Sequence, residues 1–166
     1  MRILALLFAV CSCVLAESNP LTEVVTARYN SVKKNLMHAA EAMPAEDYSL
    51  KLSAEQRPFS LWVEHTAVGN LNLCSAIKLA PPPDVSKIRG LTGKADLVKA
   101  LKESFDFCDA ALSGMTDQKA LTESNGRYPA TAMVLIMGSL YEHNGNISPY
   151  LRTKGIASQA APPPKK

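Results

Sequence analysis

Ser139-Leu140-Tyr141-Glu142-His143-Asn144-Gly145-Asn146, running on to Tyr150-Leu151-Arg152-Thr153-Lys154-Gly155-Ile156, is the stretch whose reading decides the fold. Met133, Ile136, Leu140, His143, Ile147 and Leu151 recur at steps of three and four, the period of one helix face. His143 is therefore expected to point inward among aliphatic neighbours. Pro129 suits the first position of this helix, where its missing N–H costs nothing. Gly155 stands where a left-handed stop belongs, with Ile156 as its hydrophobic cap. Pro149 removes the backbone bond to Gly145 and predicts a bend just beyond His143.

Three earlier segments show the same period. From Leu21 to Met43 the apolar face is Leu21, Val25, Val32, Leu36, Ala39 and Met43, and Pro44 ends it. Arg28, Lys33, Lys34 and Glu41 fall on the opposite, solvated face. The second helix is expected from Pro58 to about Lys78, with Leu61, His65, Val68 and Asn72 on one face and Trp62 beside it. Pro81-Pro82-Pro83 forbids its continuation. The long segment to Gly90 is what a crossover over the end of a bundle requires. Thr92 is the expected N-cap of the third helix, whose stripe is Leu97, Leu101, Phe105, Cys108, Leu112 and Met115. A polar loop, Thr116 to Tyr128, holds one helical turn at Asp117 to Thr122. Four amphipathic helices in 166 residues argue a single all-α four-helix bundle.

Charge narrows the function. The formal net charge is +3 with 20% charged residues, so nucleic acid has no electrostatic footprint to meet. Residues 1–16 read as a secretory signal: Arg2 supplies the positive region and Ile3 to Leu15 an apolar core too short to span a bilayer. Val14-Leu15-Ala16 favours cleavage before Glu17. Val10-Cys11-Ser12-Cys13 offers a rival reading, a lipoprotein box with Cys13 lipidated. An exported, periplasmic or secreted bundle over residues 17–156 is expected, followed by a disordered Pro- and Lys-rich tail over 157–166. Removal of the signal leaves Cys74 and Cys108, both on helices. In an oxidising compartment two such residues predict one disulfide; two buried free thiols are the alternative.

Several short patterns, read together, carry a resemblance. They are Asn35-Leu36 with Ala39-Ala40-Glu41-Ala42-Met43-Pro44; Arg57-Pro58-Phe59-Ser60 with His65 and Cys74; Lys94-Ala95-Asp96-Leu97-Val98 with Cys108-Asp109-Ala110-Ala111; and Glu142-His143-Asn144-Gly145-Asn146 with Tyr150-Leu151-Arg152. Their order and spacing resemble the DinB-like family of four-helix bundles. The resemblance implies an up-down-down-up bundle with a long crossover between the second and third helices. It also implies a divalent metal (zinc, nickel or iron) on three histidines, one from the second helix and two from the fourth. His65 and His143 match two of those positions, and Ser139 occupies the third. Some relatives are thiol-dependent transferases, isomerases or hydrolases, and relatives often pair as homodimers.

A neutral serine hydroxyl is a poor ligand for zinc or nickel. Glu64 and Glu142 each sit beside a histidine, about 100° around their helix, and would need distortion to help. The site is thus either an altered two-histidine metal centre or, without metal, a small-molecule-binding or dimeric interaction module. In that second case the histidines are core-facing and bonded to each other, to Ser139 or to water. Ser139 has no acidic orienter or G-x-S-x-G context that would make it a nucleophile. His38 lies among alanines, away from either pattern. Asn70, Asn72, Asn144 and Asn146 are candidates to line a polar cavity near the histidines, or plain helix-surface residues.

Overall fold

The computed structural model describes residues 18–160. The expected signal, with Cys11 and Cys13, and the end of the expected tail lie outside the described residues. Five helices follow in order: α1 (Pro20–Ala42), α2 (Phe59–Ile77), α3 (Lys94–Leu112), the short α4 (Asp117–Leu121) and α5 (Pro129–Thr153), with a 3₁₀ turn at Ala45–Asp47. No helix among them is long and apolar enough to cross a membrane.

Side-chain partners give the directions. Asn70 bonds Ser104 and Cys74 joins Cys108, both pairs 34 residues apart, so α2 and α3 run parallel. Tyr29 meets Phe105 while Lys94 reaches the Glu41 carbonyl, so α1 and α3 are antiparallel. Phe59 meets Tyr150 while Thr66 meets His143, so α2 and α5 are antiparallel as well. The bundle is therefore up-down-down-up. Parallel α2 and α3 demand a connection that returns the length of a helix, and residues 78–93 supply it. Buried Glu64 pins that strap by accepting the Gly90 N–H at 3.2 Å.

The core fills the space between α1, α2, α3 and α5. Tyr29, Phe59, Phe105 and Tyr150 are its largest sealed side chains. At one end Tyr48 meets Phe59 edge-on and Tyr150 meets Phe59 at a tilt, with centroids 5.1 and 5.9 Å apart. Tyr29 ties α1 to α3: its hydroxyl donates to Asp109 at 2.9 Å and lies 3.2 Å from the Phe105 carbonyl. Lys33, expected on a solvated face, instead pairs with Asp109 and lies over the Phe105 ring. The disulfide between Cys74 and Cys108 joins α2 to α3 in the sealed interior, Cα atoms 5.2 Å apart.

Helix ends follow local chemistry. Gly155, in the left-handed region at φ 70°, closes α5: its N–H reaches the Arg152 carbonyl and the Ile156 N–H reaches the Leu151 carbonyl. Helix α5 continues through Pro149 to Thr153. Helix α1 is capped from a distance. The Asp117 carboxylate of α4 accepts the Leu21 and Thr22 N–H groups at 3.0 and 2.8 Å, and Asn19 accepts the Asp117 N–H in return.

Three further expectations are corrected. Thr92 does not cap α3: the helix starts at Lys94 after Gly93, whose extended backbone takes the cap position without a side-chain bond. The stripe Leu61, His65, Asn72 is the solvent-facing ridge of α2, not its core face, although Val68 is buried. The helix carries apolar residues almost all round, and contacts with α3, α5 and the crossover bury every other side. Ala157 and Ala160, expected in a loose tail, bond His38 and Asn35 of α1.

Candidate functional site

The site is built where α2 and α5 cross. Trp62, His65, Thr66 and Gly69 are spaced by three, four and seven residues, which places them along one flank of α2 facing α5. Opposite them α5 presents His143, with Ser139 one turn earlier. The His143 ring is 4% exposed, while His65 stands at the open edge of the same junction. Their ring centroids lie 4.9 Å apart in an edge-to-face arrangement. The two imidazoles, from segments 78 residues apart in sequence, thus meet in one place.

Trp62 forms the wall behind both rings, with centroids 6.4 Å from His65 and 5.9 Å from His143. The Arg57 guanidinium covers the indole at 5.0 Å. Tyr150 of α5 donates to the Arg57 carbonyl, which fixes the entry to α2 beside the site. Thr66 touches His143 Nδ1 at 3.2 Å and bonds the Trp62 carbonyl at 2.8 Å. A Cβ added at Gly69 would lie 3.9 Å from His143 Cε1, so the ring lies along α2 between positions 66 and 69. Trp62 Nε1 is buried and makes no hydrogen bond with the described residues.

The electrostatics keep both rings neutral. Burial pushes the His143 pKa down to about 4, reinforced by repulsion from His65 once that ring is protonated and then by the charge of Arg57. His65 is lowered too, first because neighbouring protein withdraws water from its ring, then by Arg57; Glu142 and Glu64 oppose the shift. At neutral pH the junction holds two uncharged imidazoles, the form that binds metals or accepts protons.

A crystal structure of a DinB-like protein from Bacillus cereus superimposes on this bundle with a TM-score of 0.68, covering 84% of this chain and 97% of that one at 12% identity. The chain has the DinB-like fold. No family model matches the sequence, and no curated protein does.

Within the DinB-like bundle, the residues singled out from sequence fall into two groups. His65 and His143 come together, with half-buried Ser139 on the same stretch of α5. His38 stands apart, bonded to the Ala157 carbonyl. Glu64 is turned to the crossover and Glu142 to solvent. Of the asparagines, Asn70 is buried and donates to Ser104, Asn72 is exposed, and Asn146 bonds back to Glu142 within α5. Asn144 is half-buried on α5, and none of these bonds reaches a histidine. Among the described residues no cluster of three or more His, Cys, Asp and Glu is placed to hold a metal.

Sequence reasoning missed Thr66, Arg57 and the wall role of Trp62. The spacing of Trp62, His65, Thr66 and Gly69 was a readable signal of one flank. Which side of that flank faced α5 depended on tertiary contacts.

Proposed function

We propose that this chain is an exported DinB-like bundle whose His65–His143 pair is an open, two-imidazole site for a divalent metal, zinc, nickel or iron. The centroid spacing of 4.9 Å carries the reading. With metal–nitrogen bonds of about 2.0–2.1 Å, two imidazoles on one tetrahedral ion have centroids about 5 Å apart. A serine at the third family position leaves the remaining coordination to solvent, so binding is weak and reversible. Export is supported by the signal-like residues 1–16 and by the disulfide between Cys74 and Cys108.

An ion held there would supply Lewis acidity to a bound water or thiol. The chain's own residues supply the rest. His143 is rigid and neutral, His65 offers an accessible imidazole at the rim, and Trp62 excludes water behind them. Arg57 adds positive charge that favours an anionic or thiolate partner.

Metal analysis of the mature protein, purified without a polyhistidine tag and incubated with Zn(II) or Ni(II), tests the reading. Uptake of one equivalent, removed by a chelator and lost in His65→Ala, supports it. A folded protein that takes up none rejects it. One observation favours a second reading, a metal-free binding module. Trp62, whose ring lies against both histidines, carries a buried indole N–H without a partner among the described residues, which an oxygen acceptor admitted behind the rings would satisfy.

A further inference from the structure

We infer that Thr66 is the positioning residue of the histidine pair: its hydroxyl accepts a hydrogen bond from His143 Nδ1 and so holds the tautomer whose bare Nε2 faces the site. The inference rests on the pair being the functional site, and it assigns a task to a residue that is not itself a ligand.

A threonine hydroxyl has one hydrogen and can donate once. Thr66 Oγ1 lies 2.8 Å from the carbonyl of Trp62, four residues back, and donates there. Its contact with His143 Nδ1 at 3.2 Å then has no hydroxyl proton left to use. The proton in that contact belongs to the ring. A neutral imidazole carries one N–H, so if Nδ1 bears it, Nε2 holds a lone pair.

The other end of the ring agrees. Nδ1 is at Thr66 and Cε1 lies over Gly69, one turn further along α2. Nε2 comes next around the ring. It makes no hydrogen bond with the described residues, and it is not sealed: Trp62 Nε1 is the sole buried side-chain nitrogen or oxygen among them without a partner. The lone pair is thus left free on a ring whose centroid lies 4.9 Å from that of His65. This is the arrangement by which a second partner orients a metal-binding imidazole, with a threonine hydroxyl in place of the usual carboxylate or carbonyl.

Nitrogen-15 spectra of the three imidazoles in the metal-free protein at neutral pH read the tautomer directly. The expected result is His143 protonated on Nδ1 and bare on Nε2. Thr66→Val, which keeps the branched shape but cannot accept, should shift His143 toward the Nε2–H form and weaken Zn(II) binding about 10- to 100-fold. Thr66→Ser should restore both. Should the valine variant not fold, Thr66→Ala takes its place. A wild-type His143 carrying its proton on Nε2 overturns the inference at once. So does a tautomer unchanged in Thr66→Val or Thr66→Ala. Failure of the metal reading looks different: Nε2 is bare, the tautomer responds to Thr66, and Zn(II) binds neither protein.

Discussion

Opening the bridge between Cys74 and Cys108 should cost this bundle a large part of its stability while leaving its helices intact. The bond closes a loop of 34 residues between helices that run parallel. Cross-linking that loop removes about 13 cal/mol/K from the unfolded chain, close to 4 kcal/mol at 25 °C. For a domain of this size each kcal/mol moves the midpoint by about 3–4 °C, so the reduced protein should melt about 10–15 °C lower. Both sulfurs are sealed from solvent, so reduction will need mild denaturant or prolonged reductant followed by refolding. Circular dichroism melts of the oxidised and reduced forms give the shift, and a Cys74→Ala, Cys108→Ala double variant gives the same comparison without reductant. Intact mass must rise by two hydrogens on reduction. A mass that does not change, or melts that coincide, would refute the reasoning.

Three further outcomes follow from the same contacts. In the metal-free protein His143 has a pKa near 4 when folded against 6.5 when unfolded, so between those values the unfolded chain binds the extra proton. Stability is thus full above about pH 6.5, declines by at most about 1.4 kcal/mol per pH unit on acidification, and levels near pH 4; urea midpoints measure it, and His143→Gln should flatten the curve. Tyr29→Phe removes the donor that joins α1 to Asp109 and Phe105 and should lower the unfolding free energy by about 1 kcal/mol in urea titrations, with no change in metal uptake. Ser139→His restores a third imidazole one turn from His143 and should tighten Zn(II) binding by orders of magnitude in calorimetry; an unchanged affinity would mean that position 139 does not reach the ion.

Much of the bundle was legible in the sequence because its signals are local. Prolines 44 and 129, the break at Pro81–Pro83 and the stop at Gly155 act on their own backbone, whatever the rest of the chain does. The face of α5 was equally plain, since Met133, Ile136, Leu140, His143, Ile147 and Leu151 are all buried. Helix α2 was misread for the opposite reason. It packs against α3, α5 and the crossover, so apolar residues surround it and periodicity no longer marks the inner face. The ridge of Leu61, His65 and Asn72 looked like the core and is the exposed strip. That error hid the asymmetry of the site, in which His143 is largely buried and His65 is open. The cap of α1 by Asp117 was out of reach as well, because its donors and acceptor are 95 and 96 residues apart.

The most direct measurement is a Zn(II) titration of the untagged mature protein, followed through the ring resonances of its three histidines. Signals of residues 65 and 143 should move together and saturate at one equivalent, while His38, on α1, stays put. Movement of His65 or His38 alone, with the buried ring of α5 undisturbed, would contradict a shared site.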